Sequence, residues 1–118
     1  MQILTVDLYE PPDSGRTFCG DPNCVSLTEV TTSDGRPIVL HIRYENGSTA
    51  RGPWIQSAGT HTQPRSQQTK YQIGDSVSRA SACVNGKYLR VTVWVTVNGV
   101  ASGPTDSAVI ECYPVVLQ

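Results

Sequence analysis

Charge is scarce in this chain and evenly balanced: nine Lys plus Arg stand against ten Asp plus Glu, 16% of the residues in all. No single-sign field remains to steer a polyanion, so nucleic acid is not expected as a partner. Long apolar runs are also missing, and no segment has the length of a bilayer-spanning helix. The opening Met1-Gln2-Ile3-Leu4-Thr5-Val6-Asp7 lacks both the basic flank and the apolar stretch of a signal peptide. Histidine is limited to His41 and His61, one mid-strand and one in a polar stretch, and neither lies close to a cysteine. No D-x-D-x-D-G loop, GxSxG elbow, HExxH helix or phosphate-cradling glycine loop occurs. The densest acidic set, Asp7, Glu10, Asp13 and Asp21, fits neither a calcium loop nor the paired carboxylates of a glycosidase. Catalysis needs convergent acids, bases or nucleophiles, so the expectation is a protein that is no enzyme and uses no cofactor.

What is abundant points to strands and turns. Ten Gly and eight Pro, with many Val, Thr and Ser, suit short strands better than helices, and 118 residues make one domain spanning 1–118. Cys19, Cys24, Cys83 and Cys112 form an even set in a short chain, which reads as two disulfides made in an oxidising compartment. Three pairings are possible. Cys19 with Cys24 is favoured because Asp21-Pro22 closes a tight turn, leaving Cys83 with Cys112 on strands expected to be neighbours. A four-cysteine zinc site is the rival, but the first pair lacks a CxxC knuckle and the second is separated by 29 residues. Disulfides without a leader read as the mature form of a secreted protein.

Period-2 patterns mark the strands. Leu4, Val6 and Leu8 alternate with Thr5 and Asp7 until Pro11-Pro12, and an irregular loop is expected from Asp13 to Cys24. Val25 to Thr32, the Asp34-Gly35 turn signal, and Ile38, Leu40, Ile42 and Tyr44 alternating with Val39, His41 and Arg43 predict a hairpin. Asn46-Gly47 is a second turn signal, with a return strand from Thr49 to Gln56 interrupted at Gly52-Pro53. Ser57 to Lys70 is almost wholly polar and predicts an exposed loop. Tyr71 to Val84 is a weaker strand region, and Asn85-Gly86 is a third hairpin signal. It leads to the clearest strand: Leu89, Val91, Val93, Val95 and Val97 share one face, Tyr88, Arg90, Thr92, Trp94 and Thr96 the other. A turn from Gly99 to Pro104 precedes a last strand near residues 107–116. About seven strands joined by turns predict an all-β, antiparallel β-sandwich stapled by two disulfides. The run Tyr88-Leu89-Arg90-Val91-Thr92-Val93, followed by Val97-Asn98-Gly99 and Ser102-Gly103-Pro104, resembles the last hairpin of fibronectin type III domains. The resemblance implies an immunoglobulin-like sandwich that serves as a spacer or recognition module without an active site.

Alternation places Tyr88, Arg90 and Trp94 on the face that should meet solvent. Aromatic rings stack on sugars or anchor proteins, and Arg adds a forked donor. An exposed Trp94 predicts that its truncation weakens binding and leaves the melting temperature nearly unchanged; the plainer alternative is a Trp94 covered by a neighbouring strand or loop. Trp54 reads as a core plug beneath the polar loop, with a contact residue at the loop's base as the other reading. The loop offers Gln56, His61, Gln63, Arg65, Gln67 and Gln68 as amide and guanidinium donors, or is a plain solvated connector. His41 reads as a half-exposed sheet residue, and the Asn46-Gly47-Ser48 sequon is explained by its turn alone. The candidate ligand-binding set is therefore Tyr88, Arg90, Trp94, Trp54, Gln56, His61 and Arg65, with no metal. The leading expectation is a secreted, non-catalytic recognition module, with an extracellular glycan favoured over a protein as ligand. The alternative is a small stapled proteinase inhibitor that presents Ser57 to Lys70 as its reactive loop, or a toxin or assembly subunit.

Overall fold

A computed structural model describes residues 2–8, 19, 23–84 and 86–112, of which 56–58 are described as backbone. Among the described residues, seven strands and one short helix run in the order β1 (Ile3–Leu8), β2 (Asn23–Thr32), β3 (Ile38–Gly47), β4 (Trp54–Arg65), β5 (Lys70–Ser78), α1 (Arg79–Ala82), β6 (Tyr88–Val97) and β7 (Val100–Glu111). The chain is nearly all β, with every neighbouring pair antiparallel. One sheet has the order β1-β2-β5 and the other β4-β3-β6-β7.

The alternating apolar positions explain how the sheets close on each other. Ile38, Leu40, Ile42 and Tyr44 of β3 are buried with Leu89, Val91, Val93 and Val95 of β6, and they share one cluster with Val30 of β2 and Tyr71 and Ile73 of β5. Each aliphatic side chain taken fully out of water contributes roughly 1.5–3 kcal/mol, so this row supplies most of the drive to fold. Both expected disulfides are present, Cys19–Cys24 at the entry to β2 and Cys83–Cys112 between the end of α1 and the end of β7.

Five local expectations are corrected. The segment from Val25 to Tyr44 is not a hairpin: β2 and β3 belong to different sheets, and the Asp34-Gly35 turn carries the chain across, its Arg36 N–H donating to Asp34 Oδ1 at 2.9 Å. Asn85-Gly86 likewise falls on a crossing connection, between β5 and β6 by way of α1, a helix of four residues too short to carry a 3.6-residue pattern. Asn85 itself lies outside the described residues, as do most of the expected loop from Asp13 to Cys24 and residues 113–116 of the expected last strand. β3 continues through Gly47, so the second turn falls later, where Gly52 N–H donates to the Thr49 carbonyl at 3.0 Å before a cis Gly52–Pro53 bond. In β1 a register shift between Ile3 and Thr5 turns Ile3 inward and leaves Leu4 half exposed, breaking the simple alternation.

The fifth correction bears on function. Residues 57–65 form most of β4 and pair with β3 up to Ile38↔Arg65. Their polarity misleads because β4 is an edge strand with one outward face, and Thr62 and Pro64 there are exposed. Asn46 is half-buried on the core side of β3 with its amide oxygen shielded, and the Asn46-Gly47 pair lies within the strand rather than at its turn.

Gly103 lets the two sheets approach at the β1 edge. Its φ of +79° suits glycine, and a Cβ there would stand 2.6 Å from the Ile3 Cβ. The adjoining register shift in the β6–β7 pairing brings Asp106 to β1, where its carboxylate accepts the Leu8 N–H at 2.8 Å.

Hydrogen exchange checks this arrangement: the slowest amides are expected in β3 and β6, which have a strand on each side. Residues 59–65 should exchange more slowly than 66–69, and equal rates in the two segments would contradict β4.

Candidate functional site

The outward face of the four-stranded sheet is set by the same alternation that fills the core. Opposite Leu89, Val91, Val93 and Val95, strand β6 presents Arg90, Thr92, Trp94 and Thr96, while β3 presents His41, Arg43 and Glu45 beside them. These side chains, with Trp54 from β4, form one continuous ladder. The Arg90 guanidinium stands 4.8 Å from the centre of the Trp54 ring, and its Nε and Nη2 donate to Glu45 Oε1 at 3.1 and 2.9 Å. Arg43 Nε donates to the same oxygen at 3.3 Å, and its guanidinium stands 5.2 Å from the Trp94 ring centre. Trp94 stacks on His41 at 5.1 Å and 6°, and His41 Nε2 is hydrogen-bonded to Thr96 Oγ1 at 2.9 Å.

Physical chemistry favours this order. Glu45 keeps only 11% of its side chain exposed, and two guanidinium groups offset the cost of burying its charge. Each guanidinium then has an aromatic face on its other flank, a contact worth roughly 0.5–1 kcal/mol at partly exposed sites. Thr92 lies beneath the row and is buried although it points outward. Trp54 lies against Gly47, where a Cβ would approach its ring to 2.9 Å, so β3 ends on the one residue type that admits the indole.

A second polar cluster joins the open edges of the two sheets. Asp75 of β5, 6% exposed at its side chain, accepts hydrogen bonds from Tyr44 Oη–H at 2.6 Å, His61 Nδ1–H at 2.8 Å and Gln63 Nε2–H at 2.9 Å. Ser26 Oγ lies 3.2 Å from Tyr44 Oη. Beside it is a shallow depression lined by Val25, Ser26, Gln63, Gly74, Asp75 and Ser76. Burial pushes the Tyr44 phenol well above the usual tyrosine range; its hydrogen bond to Asp75 raises it further, and the Ser26 contact acts the other way.

The residues singled out in the sequence therefore divide. Trp54, Arg90 and Trp94 meet on the outward face; Tyr88, half-buried, is on that face at one end, and the Gln56 backbone pairs with that of Glu45. His61 and Arg65 are on the other face of β4, His61 tied to Asp75 and Arg65 donating to the Pro64 carbonyl at 2.8 Å, so they do not join the ladder. Trp54 is half-buried on the surface and is no core plug. Trp94 is more exposed than the core valines, yet its stack on His41 contributes about 0.5–1.5 kcal/mol, so truncating it costs stability as well as surface. Arg43, Glu45 and Asp75 were missed. Arg43 was legible from its place on the His41 face, whereas Glu45 and Asp75 have their roles only through strand pairing.

Tyr44 gives a pH prediction. Its phenol is raised in the folded state, so its contribution is complete below the ordinary tyrosine range and is lost as pH climbs beyond it, where the unfolded chain ionises first. Alkaline titration followed by tyrosinate absorbance should show a tyrosine that ionises only on unfolding, and Tyr44→Phe should remove that step. A Tyr44 that ionises with the exposed phenols in the folded chain would contradict the cluster.

No protein-family model matches the chain, and no curated protein matches it. Among solved structures, one described as a protein from Archaeoglobus fulgidus aligns with 98% of this chain and 100% of its own, at 14% identity and a TM-score of 0.36, and that likeness carries neither fold nor function across.

Proposed function

We propose that this chain is a secreted, non-catalytic recognition module, an immunoglobulin-like β-sandwich that binds a protein partner through the outward face of its four-stranded sheet. The strand order supports the sandwich reading. In the immunoglobulin arrangement the first, second and fifth strands share one sheet and the third, sixth and seventh the other, as here; the fourth strand differs by pairing with the third. Two disulfides fit an oxidising compartment, and among the described residues no helix is long and apolar enough to cross a membrane.

The observation that carries the reading is the ladder from Trp54 through Arg90, Glu45, Arg43 and Trp94 to His41. Its side chains are held by one another before any partner arrives, which lowers the ordering cost of association. Trp and Arg are the residue types that dominate protein contacts, and here they form one patch. A sugar would need an open indole face, but Trp94 already stacks on His41, and Trp54 lies between Gly47 and Arg90. That favours a protein partner over a glycan. The inhibitor alternative loses support because residues 57–65 are held in β4.

Thr62 and Ser107 are exposed, are paired with His41 and Thr92, and so flank the ladder without belonging to it. The wild-type chain is to be screened against a displayed library of extracellular proteins and against a glycan array, then compared with Thr62→Arg and Ser107→Arg. The expected result is a protein ligand whose affinity falls at least tenfold, about 1.4 kcal/mol, in both variants with the melting temperature unchanged. Glycan binding lost in the same variants would replace the protein partner with a sugar. Binding indifferent to both would overturn the surface.

A further inference from the structure

We propose that the four cysteines have a second state: once both bridges are reduced, they bind one divalent cation of the zinc class as a tetrathiolate. The inference comes from convergence in space. The Sγ atoms of Cys19, Cys24 and Cys83 lie within 4.8 Å of one another, and Cys112 Sγ is bonded to that of Cys83. A tetrahedral zinc ion with Zn–S bonds of about 2.3 Å holds its sulfurs roughly 3.8 Å apart. Three sulfurs thus need to move by only about an ångström, whereas Cys112 Sγ stands outside that group and is tethered to it through Cys83, so it has the longest way to come.

The surroundings suit a closed structural site. All four cysteines are buried, at 7%, 0%, 2% and 1% exposure, which keeps water and competing ligands away. They come from four places in the chain: ahead of β2, the start of β2, the end of α1 and the end of β7. Spacing along the sequence argued against a knuckle, but Cys83 and Cys112 are brought in by the ends of elements, and spacing has no bearing there. Cys83 N–H donates to the Arg79 carbonyl and Cys112 N–H to the Lys87 carbonyl, at 2.9 and 2.8 Å, which fixes the backbone that carries each thiol. Each disulfide joins two of these positions, whereas one ion joins all four.

The chemistry balances. A dithiol reductant passes two electrons and two protons to each bridge and becomes a disulfide, leaving four thiols; the cation then forms four metal–sulfur bonds and releases four protons.

The full chain is to be reduced anaerobically with a phosphine, each bridge consuming one phosphine and one water to give two thiols and a phosphine oxide, and then titrated with cobalt(II) and zinc. The expected result is the thiolate charge-transfer and ligand-field absorption of tetrahedral cobalt, saturating at one ion per chain and bleached by zinc. The oxidised chain should give no such spectrum, and Cys19→Ser and Cys83→Ser should each lower the affinity by ~100-fold or more. If reduction unfolds the chain, zinc should restore the β-sheet circular dichroism and raise the melting temperature. A reduced chain that gives no tetrahedral thiolate spectrum, does not refold with zinc, or binds as tightly in both serine variants would overturn the site. Nothing in this inference rests on the surface reading, so each fails alone.

Discussion

Burial of Ile38, Leu40, Ile42 and Tyr44 along one side of β3 is the constraint on which the rest of the molecule depends. A slip of one residue would drive His41, Arg43 and Glu45 into the core and expose four large apolar side chains, so the register is strongly held. β6 answers with Leu89, Val91, Val93 and Val95, and pairing the two strands sets His41 against Trp94 and Glu45 against Arg90. The surface ladder thus follows from core packing.

The same logic explains why the ladder is ordered although it faces outward. A carboxylate this shielded is costly alone, and two guanidinium groups at one oxygen would repel each other without it. Held together, the three charges leave a net positive patch framed by two indoles. At the opposite edge Asp75 plays a comparable part, drawing Tyr44, His61 and Gln63 onto one carboxylate and so binding β3 and β4 of one sheet to β5 of the other. Both clusters place a single acid among several donors, and in both the acid is among the most shielded groups.

Strands with one fully apolar face were readable in the sequence, and β3 and β6 came out with the expected faces. Tyr88, Arg90 and Trp94 were placed correctly for the same reason. The failures have a common physical origin in information that is not local. Asp34-Gly35 favours a turn but does not say whether the following strand returns to the same sheet or crosses to the other. β4 is polar because an edge strand can hydrogen-bond to one neighbour and bury little. His61 was placed in the exposed polar loop and the ligand-binding set because its partner, Asp75, is 14 residues away on the other sheet. The cysteines show both sides of this: the pairing came out as expected, but Cys83 ends α1 and Cys112 follows β7 rather than lying on neighbouring strands, and the meeting of three sulfurs at one point was not legible.

The central claim is that the outward face works as one coupled unit organised by Glu45. A double-mutant cycle on Arg43→Ala and Arg90→Ala, read as unfolding free energy, tests it most directly, because the two arginines share Glu45 Oε1. Removing either alone leaves the carboxylate one partner; removing both strands it. The double variant should therefore lose at least about 0.5 kcal/mol more than the sum of the single losses, whereas additive losses would show two independent surface contacts and contradict the account.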